Sequence, residues 1–110
     1  MTATIFVMTD VVGSTSLWEA HGDAMADALA THDEVVHGAM SASDGRVFKH
    51  TGDGMIAAFA DADAAAAAAL GAVEQLAAIP WGATGPLQIK TAIHAGVATG
   101  RDGDYFGPPV

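Results

Sequence analysis

Cysteine is absent from the sequence, so neither a disulfide framework nor a thiolate metal site can hold it together. Basic residues are nearly as scarce. Arg46, Lys49, Lys90 and Arg101 are the whole set, against 13 Asp and Glu, and the formal charge is −9. Neutralising a run of phosphates needs clustered cations, so the composition excludes nucleic acid and anionic membrane surfaces as partners. A small polyanion can still bind if metal ions and one or two placed cations offset the repulsion. Long apolar runs are missing too: Ile5 to Met8 has no basic flank and runs into Asp10, too short for a signal peptide or a membrane segment. A cytoplasmic location is expected.

What is abundant is alanine. The hydrophobic fraction is 51% but aromatics supply only 6%, and alanine buries little area, so a thin core of Ile, Val, Leu, Phe and Met is expected. At 110 residues there is room for one domain, and residues 1–110 show no linker, repeat or boundary.

Ala3 to Thr9 is a short, partly β-branched apolar run ending at Asp10 and reads as a buried strand. Gly13-Ser14-Thr15 is a turn with two N-cap candidates. From Leu17 the apolar positions Met25, Ala28, Leu29, Val35, Val36, Ala39 and Met40 recur at helical spacing, predicting a helix to about Ser41 with an irregularity at Gly22. After the Asp44-Gly45 turn, Arg46 to Thr51 alternates as a strand, with Val47, Lys49 and Thr51 on one face. Thr51-Gly52-Asp53-Gly54 reads as a tight hairpin turn into a strand from Met55 to Phe59. Asp61 caps a second helix through Ala64–Ala69 to Ala78, kept amphipathic by Leu70, Val73, Leu76 and Ile79. A loop from Pro80 to Pro86, a fourth strand from Leu87 to His94, and a short extended piece within Gly96 to Gly107 complete the chain. The order β-α-β-β-α-β predicts an α+β, ferredoxin-like antiparallel sheet with both helices on one face.

In that topology the first strand is central and neighbours the third, which brings Asp10 beside the turn that carries Asp53. Two carboxylates at one rim of a sheet suit hard divalent cations, which can activate an attacking oxygen and neutralise a leaving phosphate. Singly, each Asp also has an ordinary role, Asp10 at the start of a helix connection and Asp53 in a turn. Gly13, Ser14 and Thr15 open a helix whose free N–H groups and dipole form an anion site, although Gly-Ser-Thr is equally a plain cap. No Gly-x-x-x-x-Gly-Lys phosphate loop is present. Lys49 sits oddly in its strand, and reads either as an edge lysine that discourages aggregation or as a donor aimed into a cleft.

Four motifs, in order, resemble the bacterial class III nucleotidyl cyclase catalytic domains. They are Phe6 to Thr15 followed by Leu17-Trp18-Glu19, then Gly45 to Gly54, Lys90 to Gly96, and Gly103 to Pro108. The resemblance implies an adenylate cyclase, a phosphorus–oxygen lyase that converts ATP to 3′,5′-cyclic AMP and pyrophosphate. It implies Asp10 and Asp53 as catalytic metal ligands for two Mg2+ or Mn2+ ions, with the Val11 carbonyl as a further ligand. One metal would lower the pKa of the ribose 3′-hydroxyl and the other would hold the triphosphate. Lys49 and Asp104 are implied to read the base: an ammonium suits the acceptor ring nitrogen of adenine and a carboxylate its amino group, whereas guanine presents the reverse. Lys90 stands where the family often has an arginine near the triphosphate. The family works as a head-to-tail homodimer whose two chains share each active site.

The family also places an asparagine and then an arginine after the Gly107-Pro108 segment, and this sequence stops at Val110, just ahead of them. A domain incomplete at its C-terminal end is therefore expected, with weak nucleotide binding and slow turnover, since losing one such electrostatic donor costs about a hundredfold or more. The alternative reading is a non-catalytic cyclase-homology domain that dimerises and transmits a signal. A diguanylate cyclase or polymerase palm shares the strand order, but those hairpins carry adjacent acidic residues, whereas this turn has Asp53 alone. Five scattered histidines show no metal-ligand spacing.

Overall fold

A computed structural model describes residues 3–96, 99–101 and 104–106, the last two segments by their backbone alone. The elements run β1 (Thr4–Val11), α1 (Ser14–Ala42), β2 (Arg46–His50), β3 (Gly54–Phe59), α2 (Ala62–Ala77), β4 (Ile89–Gly96), β5 (Thr99–Arg101) and β6 (Asp104–Phe106). The four long strands form one antiparallel sheet in the order β2-β3-β1-β4, and β5 and β6 pair as a separate hairpin. The predicted βαββαβ order and the central place of β1 are both present. The Gly107-Pro108 part of the last motif lies outside the described residues.

Both helices cover one face of the sheet. Strand alternation sends Val7, Met55, Ala57 and Phe59 to that face, where they pack with Val36, Ala39 and Met40 of α1 and Ala65, Ala68, Ala69, Ala72 and Leu76 of α2. Alanine does more of this packing than its size suggests. Leu70 is 60% exposed and Val73 44% exposed, so two of the four larger residues expected to keep α2 amphipathic lie outward, while Leu76 is buried and Ile79 packs against the core. The small residues lie inward because an alanine face lets a helix backbone approach the sheet closely.

Helix ends follow the local chemistry. Asp61 caps α2 as expected, its carboxylate accepting from the N–H groups of Asp63 (2.7 Å) and Ala64 (3.4 Å). At α1 the expectation of a Ser14 or Thr15 cap fails. The cap position is Gly13 in a left-handed conformation (φ 67°), and no side chain caps the helix. Gly22, at φ 35° and ψ −102°, breaks α1 where the irregularity was expected.

The strand β2 departs from simple alternation. Val47 is opposite Ala57, but Lys49 is opposite Ile56, so Phe48 is an extra residue in a β-bulge. Ala57 faces the helices and Ile56 does not, so Val47 and Lys49 point to opposite faces, contrary to the expectation that they share one. Among the described residues no helix is long and apolar enough to cross a membrane.

Candidate active site

The site begins where β1 ends. Asp10 is paired with Gly54 of β3 on one side and with Lys90 of β4 on the other. Gly54 permits this: a Cβ there would collide with the Thr9 carbonyl oxygen. The turn before it is closed by Thr51 N–H donating to the Gly54 carbonyl (3.0 Å), with Gly52 left-handed at φ 73°. Pressing the turn this close to β1 lets Val11 N–H donate to the Asp53 carbonyl (3.3 Å) and brings the two carboxylates together. Thr9 helps from below, its hydroxyl accepting from Met55 N–H at 3.3 Å.

The contact is visible in the electrostatics. Asp10 is raised above its ordinary value, first by the hydrogen bond it shares with Asp53, then by desolvation and by the Asp53 charge, with Lys90 pulling the other way. Asp53 is lowered, chiefly because the Ser14 hydroxyl donates to it and then because Asp10 does, with His32 adding a smaller Coulombic contribution in the same direction. Two like charges in contact cannot both ionise freely. Such a pair holds one proton between them or takes up a cation. Ser14 therefore acts on the ionisation of Asp53 and does not cap its helix.

Rows of cross-strand partners show what shares the site's face. One row is Asp10, Gly54 and Lys90; another is Lys49, Ile56, Met8 and Ala92; a third is Arg46, Ala58, Phe6 and His94. All three lie on the face away from the helices. Every Lys and Arg whose side chain the structure describes, namely Arg46, Lys49 and Lys90, thus stands on the face that carries Asp10. Neither helix contains a Lys or Arg, and α1 and α2 together hold Glu19, Asp23, Asp27, Asp33, Glu34, Asp63 and Glu74. An acidic helical layer thus backs a sheet face on which the few cations are gathered.

Other expected residues are placed less completely. Gly13 turns the chain, and Ser14 and Thr15 open α1 with N–H groups that have no acceptor in a preceding helical turn. Asp104 begins β6, paired with Arg101, and β6 comes up against β2, the strand of Lys49. The Asp104 side chain lies outside what the structure describes. A groove of about 460 Å3, lined by Val12, Val73, Leu76 and Leu87 among others, lies on the helical side and contains none of the polar site residues.

One of the histidines set aside for lack of metal-ligand spacing lies near the site. His32 is fully buried; its Nδ1 donates to the Asp33 carboxylate at 2.8 Å, and its Nε2 has no hydrogen-bond partner among the described residues. Its spacing from Met25, Ala28 and Val36 on the buried stripe of α1 was a signal that it points inward.

A bound metal would need ligands that fit. Among the described residues no group of three or more His, Cys, Asp or Glu side chains converges. What converges is a carboxylate pair, and magnesium-type sites use one or two carboxylates and complete their shell with water and substrate phosphate. The donor set of Asp10 and Asp53 fits such an ion.

The fold has close relatives of known structure. Adenylate cyclases from Trypanosoma brucei in their monomeric state superpose at a TM-score of 0.91, with 21% identity, over 97% of this chain and 63% of theirs. An adenylate/guanylate cyclase/hydrolase from Silicibacter pomeroyi superposes at 0.76, with 27% identity, over 96% of this chain and 62% of that one. The chain has the class III nucleotidyl cyclase fold. No family model matches the sequence. Among curated proteins it is 33% identical over 106 residues to Rv0891c of Mycobacterium tuberculosis, covering 94% of this chain and 35% of that protein. It is also 33% identical over 100 residues to the adenylate cyclase of Schizosaccharomyces pombe, covering 91% of this chain and 6% of that protein. The chain thus spans about a third of the first of these relatives and about two thirds of the solved cyclase structures.

Proposed function

We propose that this chain is the ATP-handling part of an adenylate cyclase catalytic domain and binds a divalent cation, Mg2+ or Mn2+, at Asp10 and Asp53. The observation that carries the reading is the contact between those two carboxylates, on the one sheet face where the cations are gathered. Two carboxylates held this close repel each other when both are ionised, and a cation between them relieves the repulsion.

The remaining residues have complementary tasks. Asp10 and Asp53, with the Val11 carbonyl, hold up to two cations. Lys90 sits beside Asp10 and offers its ammonium to the triphosphate, as a point charge rather than a bidentate clamp. The start of α1 at Gly13, Ser14 and Thr15 offers N–H donors to phosphate oxygens. Lys49, with Asp104, discriminates adenine from guanine by donating to a ring nitrogen and accepting from the amino group. In the overall reaction the ribose 3′-oxygen forms a bond to the α-phosphorus, the bond to pyrophosphate breaks, and the hydroxyl proton passes to solvent. The bound cation supplies Lewis-acid chemistry, acidifying the hydroxyl and offsetting phosphate charge. A homodimer that completes each site from two chains belongs to the same proposal, as does a cytoplasmic setting.

Equilibrium binding tests the part of this that the chain performs itself. Mn2+ is expected to bind, ATP to bind more tightly in its presence, and Asp53→Asn to remove that enhancement. ATP affinity that is indifferent to Mn2+ and to Asp53→Asn would turn the reading toward a cyclase-fold signalling module.

A further inference from the structure

The extra residue in β2 has a use that the cyclase fold alone does not specify. Regular pairing from Val47 onward would set Phe48 opposite Ile56 and Lys49 opposite Met55, in the row of Thr9 on the helical face. The bulge instead sets Lys49 opposite Ile56, in the row of Met8, on the face of Asp10 and Lys90. A ring holds the bulge in place. Phe48, half-buried, meets Phe6 edge to face, with centroids 6.0 Å apart and planes at 73°. Phe6 is fully buried although it lies on the face without helices. Aromatic pairs of this geometry gain beyond their buried area, and bulges recur where a side chain must be re-aimed.

We propose that Phe48 is a positioning residue for nucleotide-base discrimination: anchored on Phe6 as the extra residue of the β2 bulge, it turns Lys49 onto the cleft face of the sheet. The inference rests on the reading of Lys49 as the donor to the base. It predicts that the Phe6–Phe48 contact controls the choice of base and not the grip on phosphate. Asp10 and Lys49 stand on neighbouring rows of one face, and on this proposal metal and triphosphate belong to the first and the base to the second.

The test compares ATP, GTP and inorganic tripolyphosphate as competitors against a fluorescent ribose-labelled ATP, with Mn2+ present. Phe48→Ala is expected to weaken ATP binding about tenfold, the scale of one charge-assisted hydrogen bond, so that the ATP-to-GTP preference shrinks while tripolyphosphate competes unchanged. Phe48→Tyr keeps the ring and retains the preference. Cross-strand nuclear Overhauser contacts between Lys49 and Ile56 are expected in the native chain and in Phe48→Tyr, and lost in Phe48→Ala. Should Phe48→Ala not fold, Phe6→Leu removes the ring partner without touching β2 and must show the same selective loss. A folded Phe48→Ala or Phe6→Leu with the native preference overturns the proposal. Lys49→Ala separates the two failures: if it abolishes base preference while Phe48→Ala does not, the role of Phe48 falls and that of Lys49 stands. A Lys49→Ala chain with unchanged preference removes the base-reading role itself, and this inference with it.

Discussion

Across the gap between the end of β1 and the β2–β3 turn the carboxylates of Asp10 and Asp53 are linked in their ionisation, Asp10 being raised by Asp53 and Asp53 lowered by Ser14 and by Asp10. The raised partner, Asp10, is the one nearer Lys90; the lowered partner, Asp53, is the one that the Ser14 hydroxyl serves.

Proton and metal must therefore compete. Asp10 is raised, so the stability it contributes is present at low pH and is lost as pH rises through its folded value, above the ordinary 3.8. Asp53 is lowered, so its contribution is present above 3.8 and is lost as pH falls through its lower folded value. On the proposed reading Mn2+ is expected to replace the shared proton and to remove the loss on the alkaline side. The rise in melting temperature on adding Mn2+ should be larger at pH 7 than at pH 4.5. Asp10→Asn, which imitates the protonated partner, should melt no lower than the native chain without metal and should not respond to Mn2+.

Lys90 lowers Asp10 by its charge. In Lys90→Gln the Asp10 carboxyl should rise further, moving the onset of Mn2+ binding to higher pH. Affinity for tripolyphosphate should fall in the same variant, because the proposed role of the ammonium is also to offset phosphate charge. Calorimetric titration at several pH values measures both effects.

Gly54 sets the distance between the turn and β1. A methyl group there meets the Thr9 carbonyl, a backbone atom that cannot yield without moving the strand. Gly54→Ala should cost roughly 1–3 kcal/mol in urea unfolding, and should remove Mn2+ binding even under conditions where the chain remains folded.

Away from the site, the cap of α2 is an internal control. Asp61→Ala removes the acceptor of the Asp63 and Ala64 N–H groups and should cost about 1 kcal/mol. Mn2+ affinity should not change, since Asp61 is distant in the fold from β1's end.

Much of this was legible in the residues. The strand order, the Gly22 break, the Asp61 cap and the meeting of Asp10 with Asp53 follow from periodicity, turn chemistry and topology, all of which are local or nearly local signals. The errors have a shared cause in tertiary packing. Alternation put Val47 and Lys49 on one face because a bulge leaves no mark in a five-residue strand; only the partner Phe6, some forty residues away, makes the extra residue worthwhile. Leu70 and Val73 lie outside because α2 chose its alanine face for close approach to the sheet. Ser14 looked like a cap because capping is a serine's commonest task, but no side chain caps α1, and the group Ser14 influences is Asp53, distant in sequence.

Turnover tests the central claim most directly. The purified protein is given ATP or GTP with Mn2+, and cyclic nucleotide is measured beside its Asp53→Asn variant. The account predicts cyclic AMP from ATP, far less cyclic GMP from GTP, and neither from the variant. A folded, dimeric protein that makes no cyclic nucleotide from either substrate would contradict it.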